Sequence, residues 1–216
     1  MTPGRICRVP LLALCMTLSA HVPAAMAQGA SSPDVWSIQL HGGQFATIDG
    51  SGTSPMVGMR YSKHYSPHVY GGMLTGLSVM SRSLEASSQS ANGSRVEFGK
   101  VDARIVPLMG FIQVNLTDKA RLVPLIGFGA GYEWLSLDVK DHLTGSSTRS
   151  NYGNIAWETY GGVAVRMTAK VRVNGELFYN GGALERRARD ENGSTWFEVV
   201  HVNGIGARLG LDMDFE

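Results

Sequence analysis

Seven charged residues in the second half of the chain lie on the polar sides of segments whose other sides are apolar. They are Glu133, Glu158, Arg166, Arg172, Glu176, Arg208 and Asp212. Both signs of charge occur, and a charge buried alone costs several kcal/mol unless a partner compensates for it (~3–5 kcal/mol when a buried pair is broken). If the segments close around an interior, the set predicts a paired charge network in a lumen. The alternative is that these residues form the solvated strand faces of a soluble barrel.

Groups that could act as nucleophiles, bases or metal ligands form no such pattern. Five histidines follow the N-terminal segment: His41, His64, His68, His142 and His201. Their spacing matches no metal-binding motif, and they are interpreted as solvated or turn residues. The sequence therefore predicts no catalytic residues, no cofactor-binding residues, no cofactor and no metal ligands.

The first 27 residues have the pattern of a secretory signal peptide. A basic region precedes the apolar segment Val9–Ala20, and the small-x-small sequence Ala25-Met26-Ala27 follows it. An apolar run of about a dozen residues is too short to cross a bilayer as a helix. The sequence predicts a signal peptide at 1–27 and one domain at 28–216, which contains no cysteine because both cysteines fall in the first segment.

The composition narrows the class of protein. The chain has 216 residues, a formal net charge of +1, 44% hydrophobic and 17% charged residues. The near-zero charge argues against a dedicated nucleic-acid-binding protein. Mean hydropathy is −0.03, which does not exclude a membrane β-barrel, because lipid-facing and lumen-facing residues alternate and cancel in the average.

The chain beyond the signal peptide divides into about eight segments of alternating character, each of which predicts a β-strand. The predicted strands are Val35–Phe45, Met56–Lys63, Val69–Met80, Phe98–Val114, Leu122–Leu137, Ile155–Met167, Val171–Asn180 and Phe197–Phe215. Short connections (His64–His68, Asn115–Arg121, Thr168–Lys170) alternate with longer polar ones (Gln44–Ser54, Ser81–Glu97, Asp138–Asn154, Gly181–Trp196). This is typical of an all-β, closed, antiparallel up-and-down transmembrane barrel, with short periplasmic turns and longer extracellular loops.

The strand Leu122–Leu137 shows the alternation most clearly. One face carries Pro124, Ile126, Phe128, Ala130, Tyr132 and Trp134, and the other carries glycines and Glu133. The first face is expected to contact lipid, and the second suits a lumen that is just wide enough for side chains. Aromatic residues are expected in two interfacial bands, one of Trp36, Tyr61, Phe111 and Phe215 and one of Tyr132, Trp134, Trp157 and Phe197.

Pro107 interrupts the predicted strand Phe98–Val114, where it cannot donate a hydrogen bond to a neighbouring strand. A β-bulge is therefore expected at Pro107. Val101, Ala103 and Ile105 would face outward before the bulge, and Leu108, Ile112 and Val114 after it.

Two motifs resemble the small outer-membrane β-barrels of Gram-negative bacteria, of the OmpA-like and OmpW-like kind. The sequence Pro124-x-x-Gly127-x-Gly129-x-Gly131-Tyr132 is similar to their glycine-rich strand, and the alternating C-terminal segment ending at Phe215 is similar to the strand that the barrel-assembly machinery recognises. The resemblance implies that Phe215 is an insertion signal, although Glu216 follows it here. It also implies location in the outer membrane, with outer-membrane lipid and lipopolysaccharide as surroundings.

The resemblance implies a non-enzymatic barrel with a structural or surface-interaction role and an unidentified extracellular partner. The alternatives are a narrow channel for small hydrophobic molecules, a lipid A-modifying enzyme and a soluble lipocalin-like barrel. The segment from Leu177 to Leu184 is faintly similar to a motif of lipid A deacylases, but Phe178 and Asn180 stand where that family has His and Ser. Arginines in Gly181–Thr195 could contact lipopolysaccharide phosphates, or form a solvated charged loop.

Overall fold

The computed structural model describes residues 35–47, 52–87, 95–117, 120–189 and 193–215. The predicted signal peptide lies outside these ranges. Within them the chain forms nine strands: β1 (Trp36–Thr47), β2 (Thr53–His64), β3 (Val69–Ser87), β4 (Arg95–Asn115), β5 (Leu122–Asp141), β6 (Ser147–Arg166), β7 (Val171–Arg189), β8 (Thr195–His201) and β9 (Gly204–Phe215). Among the residues described, none forms a helix long and apolar enough to cross a membrane.

The nine strands form one antiparallel sheet that closes on itself. Neighbouring strands in the chain pair from β1 to β8, and β9 pairs with β1 from Trp36↔Phe215 to Thr47↔Gly204. β7 pairs with β9 along one part of its length and with β8 along the other, so β8 and β9 share one position. The ring therefore has eight positions, and the predicted closed antiparallel barrel is confirmed.

The prediction of one unbroken strand over Phe197–Phe215 is wrong, because the chain leaves the ladder at Val202 and Asn203. The Val202 amide still donates to the Gly182 carbonyl at 2.9 Å. The Gly182 amide in turn donates to Oδ1 of Asn203 at 3.1 Å. The side-chain oxygen of Asn203 thus takes the place of a backbone acceptor beside β7, at the point where the chain passes from β8 to β9.

The strands differ in length, and this gives the barrel two unlike ends. β1, β2 and β9 have 12 residues each, whereas β3 to β7 have 19 to 21. The connections β2–β3, β4–β5 and β6–β7 lie at the short-turn end, and the extensions of β3 to β8 mark the long-strand end. The predicted long loops at 81–97, 138–154 and 181–196 are therefore wrong in extent, because most of their residues are in strands.

The outer surface changes from apolar to polar along the barrel. On β5 the exposed residues Ile126, Phe128, Tyr132 and Trp134 are followed on the same face by Ser136, Asp138 and Lys140. On β4 the outward residues Ile112, Leu108 and Val106 are followed by Arg104, Asp102 and Lys100. The polar part carries its own contacts, such as Lys100 Nζ to Asp102 Oδ1 at 3.3 Å. The outer surface therefore suits lipid over the first part and water at the long-strand end.

The predicted bulge at Pro107 is wrong. The pairing of β4 with β5 runs without a shift through Pro107↔Glu133. On the other side, the register with β3 has no pairs between Thr75↔Leu108 and Ser78↔Ile105, and the hydroxyl of Thr75 donates to the Pro107 carbonyl at 2.9 Å. The missing amide hydrogen of proline is thus accommodated by a local gap in the ladder.

Because the alternation continues through Pro107, the outward orientation predicted for Val101, Ala103 and Ile105 is also wrong. Ala103 and Ile105 are buried inside the barrel, and Val101 lines an interior cavity with them. The rule that apolar residues face outward holds only where the outer surface meets lipid. At the long-strand end the outward positions are polar, so the apolar side chains of the same strand point inward.

The predicted aromatic bands are placed as expected except for one residue. Trp36 stacks on Tyr61 at a ring-centroid distance of 5.1 Å, and Phe215 lies 6.3 Å from Tyr61. Tyr132, Trp134, Trp157 and Phe197 are exposed on the outside. Phe111 does not join the first band, because the uninterrupted alternation of β4 turns its ring into the lumen, 5.3 Å from the guanidinium of Arg60.

Glycines on inward faces make room for the large rings of the interior. A Cβ atom on Gly206 would overlap the ring of Phe178 and lie 2.7 Å from the carbonyl oxygen of Gln44. Phe178 is itself buried and stacked on Phe45 at 6.0 Å. The position therefore accepts no side chain unless the ring and the backbone move.

We expect Gly206→Val to destabilise the barrel by about 1–3 kcal/mol, the usual cost of overpacking a filled interior. The matched control is Ala207→Val, since Ala207 faces outward and is exposed. The measurement is the temperature at which the folded form converts to the slower-migrating form on a gel. Equal conversion temperatures for the two variants would contradict the packing described for Gly206.

Candidate functional site

The lumen contains the polar groups that could give this barrel a function. Of the seven charged residues predicted to point inward, six are buried: Glu133, Glu158, Arg172, Glu176, Arg208 and Asp212. The seventh, Arg166, is half-buried and lines a cavity of about 530 Å³ at the short-turn end. The structure distributes the buried six among three groups at different heights.

The first group, the central charge cluster, consists of Arg60, Glu158, Glu176 and Arg208. Arg208 donates through Nη1 and Nη2 to the two carboxylate oxygens of Glu158 at 2.9 and 2.7 Å. Its Nε donates to Glu176 Oε2 at 2.7 Å. Arg60 Nη1 donates to the other oxygen of Glu176 at 2.8 Å. Two cations and two anions thus neutralise one another with charge-assisted hydrogen bonds, which are the strong kind.

Aromatic rings complete the environment of the two arginines. The guanidinium of Arg60 lies 4.1 Å from the ring centroid of Tyr160, and that of Arg208 lies 5.1 Å from the same ring and 4.7 Å from Phe178. Desolvated cation–π contacts of this kind contribute ~2 kcal/mol or more. The rings also exclude water from the ion pairs, so the cluster fills the lumen as well as neutralising it.

The central charge cluster spans the lumen. β2 and β6 occupy opposite positions of the ring, yet Arg60 Nη2 on β2 lies 3.7 Å from Glu158 Oε1 on β6. Arg60 and Arg208 are 1% and 2% exposed. Side chains from opposite walls therefore meet at this height.

The second group, the short-turn cluster, contains Arg172, Asp212, Asp214 and Tyr70. Arg172 Nη2 contacts Asp212 Oδ2 at 2.9 Å and Asp214 Oδ1 at 2.5 Å. Its Nη1 donates to the Tyr70 hydroxyl at 2.7 Å. β7 and β3 also lie on opposite sides of the ring, so this contact spans the lumen at a second height.

Glu133 belongs to neither cluster. It is 2% exposed, and Nδ2 of Asn180 donates to its two carboxylate oxygens at 3.2 and 3.4 Å. The same nitrogen also donates to the Val202 carbonyl at 3.2 Å. Among the described residues no cation pairs with Glu133, which distinguishes it from the other buried carboxylates.

Sequence reasoning missed the cation at the centre of the lumen, Arg60. The signal was present, because Met56, Gly58, Arg60 and Ser62 alternate with Val57, Met59 and Tyr61 along β2, and the second set is exposed and apolar. Applying the period-two rule to β2 would have placed Arg60 inside. No local pattern identifies its partners, since Glu158 and Glu176 are about a hundred residues away in the chain.

The interior of the long-strand end holds an apolar pocket of about 250 Å³. Its lining includes Leu84, Val101, Ala103, Ile105, Leu135 and Leu137. Arg82 and His201 lie at its exposed edge. Polar contacts lie near the rim of the same end, where Arg186 Nη2 pairs with Glu198 Oε2 at 2.7 Å. Arg186, one of the arginines considered for phosphate contacts, is therefore already paired.

The residues considered for chemistry do not assemble into a reactive centre in the part of the chain that the structure describes. No group of three or more His, Cys, Asp or Glu residues is close enough there to hold a metal ion. Phe178 and Asn180 both point into the lumen, but the first packs on Phe45 and the second binds Glu133.

No protein-family model and no curated protein matches the sequence. Solved structures match the fold. A major outer membrane protein from Thermus thermophilus has a TM-score of 0.57 at 12% identity, covering 85% of this chain and 100% of that one. The outer membrane protein OprG from Pseudomonas aeruginosa has a TM-score of 0.56 at 9% identity, covering 85% of this chain and 97% of that one. Neisserial surface protein A has a TM-score of 0.52 at 12% identity, covering 85% of this chain and 98% of that one. The fold of this chain is that of the small outer-membrane barrels.

We expect Arg208→Met to destabilise the barrel by about 3–5 kcal/mol, because Glu158 and Glu176 would lose their shared cation. Adding Glu158→Gln should recover part of this loss, since Arg60 still pairs with Glu176 and the second substitution removes the carboxylate that is left in excess. The measurement is the free energy of unfolding in urea, with Arg187→Met as the control at an exposed position. Equal effects of the two arginine substitutions would contradict the arrangement of the central charge cluster.

Proposed function

We propose that this chain is a non-enzymatic integral outer-membrane β-barrel that does not conduct ions through its lumen. The observation that carries the proposal is the central charge cluster, in which Arg60 and Arg208 join Glu158 and Glu176 across the interior. Because the short-turn cluster crosses the lumen at a second height, an ion would have to displace both sets of contacts. A structural role, or display of the long-strand end at the cell surface, follows from a closed lumen.

The outer surface supports placement in a membrane. Large apolar side chains are exposed around the ring: Leu40, Val57, Met73, Ile112, Ile126, Ile155, Leu177 and Leu209. Monomeric soluble proteins rarely expose a continuous apolar surface of this extent. Tilted strands of about 9–11 residues cross a bilayer, and even the shortest strands of the ring, with 12 residues, are long enough.

The strand lengths also support an orientation. β3 to β7 exceed β1 by seven to nine residues, which corresponds to roughly 25 Å of extended chain. Their outward positions are polar over that distance. We therefore place the long-strand end outside the cell and the short turns in the periplasm, which is the arrangement common to such barrels.

We expect the wild-type protein in planar lipid bilayers to show no discrete conductance steps. A variant with serine at Arg60, Glu158, Glu176 and Arg208 removes two cations and two anions together, so no unpaired charge of the cluster remains. Arg172→Ser and Asp212→Ser are added to remove the short-turn cluster's contact across the lumen. The combined variant should show discrete steps, provided that heat-modifiable migration confirms its folding. Steady conductance by the wild-type protein, or a folded but silent combined variant, would show that the two clusters do not close the lumen.

A second function, binding of small hydrophobic molecules, is supported by the apolar pocket at the long-strand end. Its volume of about 250 Å³ is close to the lower end of the range for ligand pockets, ~300 Å³. The β1–β2 hairpin ends at Thr47 and Thr53, so the barrel wall is lower there than on the side of β3 to β7. A ligand could enter the pocket while the lumen below stays closed.

We expect benzyl alcohol to shift the methyl NMR signals of Leu137 and Val200 in lipid nanodiscs, because both side chains line the pocket. Leu135→Trp should abolish these shifts by filling the pocket. Ser136→Trp is the matched control on the outward side of the same strand and should leave them unchanged. If both tryptophan variants responded like the wild type, the pocket would not be the binding site.

A further inference from the structure

Glu133 lies where the apolar pocket ends and the polar lumen begins. It precedes Leu135 by two residues on the inward face of β5, a separation of roughly 7 Å along a strand. Ile105 lines the apolar pocket and also the small cavity of about 40 Å³ beside Glu133. This cavity has room for about one water-sized group. The carboxylate therefore lies beside a small cavity that shares Ile105 with the apolar pocket.

The hydrogen-bonding capacity of Glu133 is mostly unused. An ionised carboxylate can accept about four hydrogen bonds, and among the described residues only Asn180 donates to it. Nδ2 of Asn180 also donates to the Val202 carbonyl, so Glu133 shares its single donor group. The small cavity leaves space on the carboxylate for another donor.

The charges around Glu133 are also unbalanced, because negative charge is in excess there. In the central charge cluster two arginines compensate two glutamates, and the bidentate contact with Arg208 engages both oxygens of Glu158. Glu133 adds a third carboxylate with no cation paired to it among the described residues. One cationic group in the small cavity would neutralise this part of the lumen.

We infer that the apolar pocket binds a small molecule with an apolar body and one protonated amine, and that Glu133 receives the amine. The inference rests on the second function proposed above, binding in the apolar pocket. The apolar body would contact Ile105, Leu135 and Leu137, and the ammonium would donate to the free lone pairs of the carboxylate. Arg82 and His201 also line the pocket and are exposed.

The test compares three ligands of nearly equal shape that differ in charge: benzylamine, benzyl alcohol and benzoate. Binding is followed at pH 7 by the methyl NMR signals of Leu137 and Val200 in lipid nanodiscs. We expect the wild-type protein to bind benzylamine about tenfold more tightly than benzyl alcohol, as a charge-assisted hydrogen bond provides. Benzoate should bind most weakly.

Glu133→Gln keeps the shape of the side chain and removes its charge. We expect this variant to lose the preference for benzylamine and to bind benzyl alcohol as the wild type does, which also shows that the pocket is intact. Glu185→Gln, at an exposed position of β7, should keep the preference and controls for surface charge.

The outcomes separate the two proposals. If benzyl alcohol and benzylamine both fail to bind the wild-type protein, the apolar pocket is not a ligand site. If benzyl alcohol binds but benzylamine has no advantage, or keeps its advantage in Glu133→Gln, the role of Glu133 is wrong. Tightest binding of benzoate would assign ligand choice to Arg82 and His201 at the edge instead.

Discussion

The closed ring imposes the constraint on which the rest of the structure depends. Every strand except β8 is paired on both sides, so each side chain of the ring must point either outward or into a space only wide enough for side chains. Polar groups that point inward leave bulk water and need partners inside. The partners come from the opposite wall: Arg60 reaches Glu158 and Glu176, and Arg172 reaches Tyr70. The same side chains therefore neutralise the interior and join opposite walls of the ring.

Along β4 the same inward–outward alternation of side chains passes through two parts of the barrel with different outer surfaces. In the lower part of β4 the outward residues, such as Ile112, are apolar and the inward residue Gln113 is polar. Beyond Pro107 the outward residues Arg104 and Asp102 are polar and the inward residue Ile105 is apolar. The strand keeps its phase while its outer surface changes from apolar to polar. The long-strand end thus has an apolar interior and a polar surface, as a soluble protein does, and this is why it can hold a pocket for an apolar molecule.

Glu133 lies at the junction of these two parts. Below it the interior is a set of compensated charges, and above it the interior is apolar. A carboxylate at this height with one amide donor is costly to bury unless something else satisfies it. The two charged clusters and the apolar pocket are compatible, because the clusters lie below Glu133 and the pocket lies above it. A cationic ligand bound to Glu133 would balance the charge of the interior without opening a path through the barrel.

The sequence by itself determined the closed barrel and the phase of β5, β6, β7 and β9, because the direction of a side chain in a strand depends only on a local period of two. The same rule applied to β2 would have found Arg60. Only the tertiary structure decided the partners of Arg60, the isolation of Glu133 and the length of the strands. The partners of Arg60 and the isolation of Glu133 depend on register and stagger around the ring, which join residues far apart in the chain. The length of β3 to β7 depends on pairing with neighbouring strands, and the inward orientation of Ile105 depends on the uninterrupted register through Pro107.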